Sequence, residues 1–219
     1  MCVRIEVETR GSWRARWHRP PRLGGQLALL AACAATTLVV GCGEVPAAAD
    51  PSTGGNVMKL KLTSGAFQSG QSIPLKYSVE GEDVSPALEW DEPPTGTKEL
   101  ALVCDDPDAP TSQPWVHWVI YSIPADVKSL PAGIANKPQL TAPVTARQGM
   151  NSWQDGTTIG YRGPAPPPGK GPHRYYFKLY ALDTQLELPP KATKDQLVAA
   201  MKGHILAEGT LMGKFEREK

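Results

Sequence analysis

The sequence predicts a mainly β domain, a sandwich or barrel, with one clear helix. Three observations predict it. Short segments of alternating apolar and polar residues recur from residue 58 onward. Clusters of Pro, Gly, Asp and Ser separate them, and the 219 residues include 22 Pro and 21 Gly. A single segment carries complete helix start and stop signals.

Taken in order, the expected strands are MKLKL at 58–62, IPLKYSV at 73–79, LEW at 88–90, ELALVCD at 99–105, WVHWVIYSI at 115–123 and YYFKLYAL at 175–182. A last strand lies within HILAEGTLMGKF at 204–215. Period two on the strand at 175–182, extended back to residue 173, sets His173, Tyr175, Phe177, Leu179 and Ala181 on the core face. The same rule puts Trp115, His117, Val119 and Tyr121 on one face of their strand, opposite Val116, Trp118 and Ile120. For the helix, Thr193 serves as cap and Gln196 completes a capping box. Gly203 then stops it after Lys202, and Leu197, Val198 and Met201 offer a face to a sheet.

The N-terminal part reads differently. Six arginines within residues 1–22 precede an uncharged apolar run, Leu27 to Val40, too short for an ordinary membrane span. VVGC at 39–42 resembles a bacterial lipobox. The expectation is a lipoprotein signal peptide over 1–41, with Cys42 lipidated and residues 42–56 a flexible tether. One domain follows at 57–219, outside the cytoplasm on a lipid anchor. Removal of a plain signal peptide without lipidation, or a retained anchor, are the alternatives. Residues 42–219 hold 17 Lys and Arg against 20 Asp and Glu, a net charge of −3, so nothing points to nucleic acid. Cys104, within LALVC, reads as a buried structural thiol and excludes a disulfide scaffold.

Two segments carry the chemistry. CDDPDAPTSQPWVH (104–117) gathers Asp105, Asp106 and Asp108, fixed prolines, Trp115 and His117. GPAPPPGKGPHRYYF (163–177) stiffens a loop before His173 and Tyr175. If these strand ends converge, a carboxylate, two imidazoles and a phenol share a small site. Imidazole N–H and phenol O–H groups suit an oxyanion, and prolines limit the ordering cost of binding. The Asp–Pro steps read equally as turn chemistry. Two His and two Asp also permit a metal, but no close ligand spacing supports one, and no cofactor motif is present. No activated Ser, Thr or Cys nucleophile is apparent, so an enzyme is not expected; hydrolysis through an activated water is the remaining catalytic option.

DPDAP (106–110), WVHW (115–118) and GPAPPPGKGPHRYYF (163–177) together resemble the phosphatidylethanolamine-binding proteins, in their bacterial Raf-kinase-inhibitor-like branch. The resemblance runs from about Met58 to Arg217. It implies a Greek-key β-sandwich with one or two short helices and a small anion pocket. By motif position that pocket comprises Asp106, Asp108, Trp115, His117, Gly163, Pro164, His173 and Tyr175. It further implies a cis bond in DPDAP, at Ala109–Pro110. The implied ligand is a small phosphorylated or anionic compound, like a phosphatidylethanolamine head group. Regulation of a protease or kinase through a protein partner is an alternative, as is weak phosphoester hydrolysis. The chain departs from eukaryotic members at Val116, where they carry a second histidine, and from bacterial relatives at Arg162, where a small residue is common; Arg162 is read here as solvated rather than as a positive charge at the rim.

Overall fold

The computed structural model describes residues 57–154 and 158–218. The expected signal peptide and the whole of the tether, Cys42 included, lie outside the described residues. The described fold is mainly β, as the sequence predicts. It comprises β1 (Met58–Lys59), β2 (Leu62–Thr63), β3 (Leu88–Trp90), β4 (Glu99–Asp106), β5 (Trp115–Pro124), β6 (Ser129–Leu130), β7 (Gln139–Leu140), β8 (Ala146–Gln148), β9 (His173–Leu182), α1 (Lys194–Met201) and β10 (Ile205–Phe215).

A seven-stranded sheet runs β1-β10-β9-β4-β5-β8-β7, and a three-stranded sheet runs β2-β3-β6. Within the large sheet only the β1–β10 pair is parallel. MKLKL is divided between the sheets: Met58 pairs with Ala207, whereas Leu62 pairs with Trp90. Leu62, Leu88, Trp90 and Leu130 of the small sheet share one core with Leu100, Leu102, Trp118, Phe177 and Leu179 of the large sheet. The opposite face of the large sheet packs a second core, in which Ala101, Val103, Val119 and Tyr121 meet Leu197 and Met201 of α1. The capping box closes as expected, with Gln196 N–H donating to Thr193 Oγ1 and Thr193 N–H to Gln196 Oε1. Gly203, at φ +83°, turns the chain away from the helix.

Two expectations about local structure are corrected. IPLKYSV is not a strand. Ile73 N–H reaches Lys214 O at 2.7 Å, but Pro74 has no N–H to extend the ladder, and Leu75–Tyr77 form a 3-10 turn closed by Ser78. On β5, strict alternation fails. Cys104 pairs with Trp118 and Asp105 with Val116, so His117 is the extra residue of a β-bulge. The bulge leaves Val119 and Tyr121 in the α1-side core and keeps His117 with Tyr175 at the end of the main core. A second irregularity, between the partners of Leu100 and Leu102, holds Ser122 at φ +55°.

Candidate functional site

β4 ends on Asp106 and β9 begins on His173, and both strands lie beside one another in the large sheet. The His173 Nδ1 to Asp106 Oδ2 distance is 2.8 Å, with both side chains more than nine-tenths buried. The other Asp106 oxygen accepts the Asp108 N–H at 2.8 Å, an Asx turn that folds DPD back on itself. Asp106 therefore does two jobs with its two oxygens: it orients His173 and shapes the loop.

His117 enters from β5 through the bulge. Its Nδ1 lies 2.7 Å from the Arg162 carbonyl. A carbonyl only accepts, so Nδ1 carries the hydrogen and Nε2 keeps a lone pair. Burial pushes its pKa down to about 4, against smaller upward pulls from the Arg162 carbonyl and the Asp106 carboxylate. At neutral pH His117 is thus a neutral imidazole and an acceptor at Nε2, not one of the donors read from sequence. The Tyr175 ring meets His117 edge-on at 5.0 Å. No protein group makes a hydrogen bond of ordinary geometry to the buried Tyr175 hydroxyl among the described residues, although the Asp106 carboxylate and the Ala165 backbone lie close enough to act on it. Burial, then the Asp106 carboxylate, holds it protonated far above neutral pH, so it is a donor awaiting an acceptor.

These groups line a cavity of about 220 Å³, the volume of about seven waters. Asp106, Trp115, His117, His173 and Tyr175 are all in its lining, as the motif positions imply. Three expected members are not. Asp108 is turned outward, where Arg174 grips both its oxygens (Nε–Oδ2 2.8 Å, Nη2–Oδ1 2.6 Å) and the Arg174 backbone N–H adds a third bond. That grip holds the Asp108 carboxyl below its ordinary range. Gly163 and Pro164 back the site rather than face it. Gly163 N–H donates to Asp83 Oδ1 at 2.7 Å, and Pro164 O accepts from Val79. A Cβ on Gly163 would fall 2.2 Å from Tyr77 O, so the loop passes too close to the 3-10 segment for any side chain. Ala165, Pro166 and Pro167 line the cavity in their place, with Ala109, Pro110 and Thr111 opposite.

Trp153 is also in the wall. Its ring meets His117 at 4.9 Å and Trp115 at 5.4 Å, both edge-on. No short-range signal could place it there, because it lies 36 residues from His117. Arg162 is not a solvated charge either. It lies against Trp153 (5.8 Å to the ring centre) and pairs with Asp83 at 3.3 Å. The only cis bond among the described residues is Ala142–Pro143, so the expected cis bond at Ala109–Pro110 is absent; the loop there turns instead through Thr111 N–H to Ala109 O at 2.7 Å. Tyr161 is buried packing, and His204 pairs with Asp183 away from the cavity. Among the described residues no three His, Cys, Asp or Glu side chains gather as a metal site.

The model of the family described as phosphatidylethanolamine-binding protein matches residues 63–216. A UPF0098 protein of Methanothermobacter thermautotrophicus is 47% identical over 158 residues, covering 72% of this chain and 99% of that relative. One of Pyrococcus abyssi is 41% identical over 165 residues, covering 75% and 90%. Among solved structures, the phosphatidylethanolamine-binding protein homologue CT736 of Chlamydia trachomatis superposes with a TM-score of 0.64 at 40% identity, covering 73% of this chain and 99% of its own. Escherichia coli YbcL, a member of the same family, gives 0.66 at 29% identity over 73% and 99%. The matched span contains both strand ends of the cavity and every residue of its lining, and on that evidence the chain belongs to the phosphatidylethanolamine-binding protein family.

Proposed function

We propose that this protein binds a small phosphorylated or otherwise anionic ligand in the His117–His173–Tyr175 cavity, and does so outside the cytoplasm on a lipid anchor at Cys42. The observation that carries the reading is the Tyr175 hydroxyl, a buried donor with no hydrogen bond of ordinary geometry to the protein among the described residues, facing the same cavity as the Asp106-oriented His173. A phosphoryl oxygen supplies the missing acceptor. Asp106 would repel a bare anion, but its pairing with His173 offsets that charge locally. The His117 lone pair favours a ligand that also carries a donor: an ammonium, a hydroxyl or a protonated phosphate oxygen. The cavity volume suits a head group and leaves acyl chains outside.

The site reads as a binding site rather than a catalytic one. Tyr175 is held as a protonated phenol, and the buried Cys104 thiol is pushed far above neutral pH, so neither offers a ready nucleophile. Calorimetric titration of the full-length protein in non-ionic detergent with inorganic phosphate and phosphoethanolamine tests the proposal. Tyr175→Phe removes this donor and should weaken both ligands about tenfold, the cost of one charge-assisted hydrogen bond. Saturable binding unchanged in Tyr175→Phe would refute the assignment of the pocket. No binding of either ligand to the folded protein would shift the weight to a protein partner, such as a protease or kinase.

A further inference from the structure

The acceptor at His117 is set from behind the cavity wall. Its Nδ1 lies 2.7 Å from the Arg162 carbonyl, and the Arg162 N–H returns a bond to the His117 carbonyl at 2.9 Å. That Arg162 carbonyl belongs to the peptide joining Arg162 to Gly163, which is trans. The N–H of the same peptide donates to Asp83 Oδ1 at 2.7 Å. In a trans peptide the C=O and N–H point in opposite directions. One planar unit is therefore held at both ends, by the imidazole on one side and the Asp83 carboxylate on the other. The second Asp83 oxygen lies 3.3 Å from Arg162 Nε, and the Arg162 guanidinium rests over Trp153, whose ring meets His117 edge-on. Asp83 itself sits at φ +54°, a left-handed conformation that Asp tolerates better than most residues. Its N–H donates to Ser78 O at 3.2 Å, which ties it to the segment lying against Gly163.

This lock decides what the cavity accepts. Gly163 has no side chain to resist rotation of the peptide plane. A flip would present an N–H to His117 Nδ1, move the ring hydrogen to Nε2 and turn the acceptor into a donor. Asp83 opposes the flip, because its carboxylate would then face a carbonyl oxygen instead of an N–H. Asp106, the Gly163 backbone and Asp105 also act on the ring, each more weakly than the Arg162 carbonyl. A neutral Nε2 acceptor separates two oxyanions of the same shape. Phosphate at neutral pH has an O–H to donate, whereas sulfate offers only lone pairs. We infer that Asp83 is a positioning residue that, through the Arg162–Gly163 peptide, keeps His117 an acceptor and so makes the cavity select oxyanions carrying a hydrogen-bond donor. This rests on the anion reading of the cavity.

The full-length protein in non-ionic detergent is titrated calorimetrically, at neutral pH and constant ionic strength, with inorganic phosphate, phosphoethanolamine and sulfate. Phosphate should bind at least about tenfold more tightly than sulfate, the equivalent of one hydrogen bond. Asp83→Gly removes the carboxylate and suits the positive φ; it should bring the two affinities to within about twofold of each other. A merely structural role would weaken both anions alike and leave their ratio standing. Asp83→Asn keeps an oxygen for the Gly163 N–H and tolerates the same φ, so it should retain most of the preference. Long-range 1H–15N spectra of the wild-type imidazoles should show His117 protonated at Nδ1 and bare at Nε2, with the Nε2 signal moving on addition of phosphate. A wild-type Nε2 that carries the hydrogen overturns the inference whether or not the variants fold. Equal affinity of the wild type for phosphate and sulfate overturns the selection, and a ratio unchanged in Asp83→Gly overturns the role of Asp83; the anion cavity survives both results. Failure of all three anions to bind overturns the cavity and the selection with it.

Discussion

Acidification below pH 6.5 should destabilise this protein through His117, and the structure sets the size of the effect. The imidazole is 2% exposed and neutral, with its Nδ1–H committed to the Arg162 carbonyl and its pKa pushed down to about 4. In the unfolded chain it titrates near an ordinary histidine, about 6.5. The folded pKa is the lower one, so between the two values the unfolded state binds more protons. The stability contributed by neutral His117 is therefore complete above about pH 6.5 and is lost as pH falls toward 4. At about 1.4 kcal/mol per pH unit, the loss by pH 4 comes to about 3 kcal/mol. That is a large part of the 5–15 kcal/mol typical of a domain. His117→Asn isolates this share, because its amide nitrogen can take the place of Nδ1 toward Arg162 and does not titrate. Urea midpoints of both proteins between pH 7.5 and 4 give the difference, and groups common to both cancel. The wild-type protein should lose about 3 kcal/mol relative to the variant across that window. A difference that stays constant within about 0.5 kcal/mol would mean that the imidazole protonates freely in the fold, and the neutral acceptor role would fall with it.

Three further outcomes follow from the same geometry. Asp106→Asn should weaken phosphate binding about tenfold by removing the charge that supports His173; equal affinity by calorimetry would make Asp106 a loop brace only. Gly163→Ala should cost at least about 1–3 kcal/mol in urea unfolding, because its Cβ would meet the backbone oxygen of Tyr77 at 2.2 Å; a neutral substitution would show that the loop can withdraw. Cys104, buried and with its thiol pKa raised by desolvation, should resist alkylation in the native protein and react in urea, read as peptide mass shifts; fast native labelling would contradict its burial.

The strand pattern was legible wherever burial follows a strict period. β9 shows it plainly: His173, Tyr175, Phe177, Leu179 and Ala181 are all buried on the predicted face. The helix was legible because its capping signals are local, and Thr193, Gln196 and Gly203 act as read. The alternation of IPLKYSV reads as a strand, but Pro74 lacks the N–H a ladder needs, and Leu75–Tyr77 close into a 3-10 turn instead. The short strands β6, β7 and β8 were missed because two or three residues carry no period; they exist only through pairing with β3, β5 and one another.

The sequence by itself determined the β class, the two segments that converge, and five of the residues that meet in the cavity: Asp106, Trp115, His117, His173 and Tyr175. These are set by local alternation and by rigid prolines beside strand ends, which act over a few residues. Tertiary structure decided the rest. It turned Asp108 outward to Arg174, set Gly163 and Pro164 behind the wall, and brought Trp153 to His117 from a distant loop. It also fixed His117 as an acceptor, because a bulge and a carbonyl 45 residues away settle which nitrogen holds the hydrogen. Such outcomes depend on which backbone atoms arrive beside a side chain, and that is a property of the packed fold rather than of any stretch of the chain.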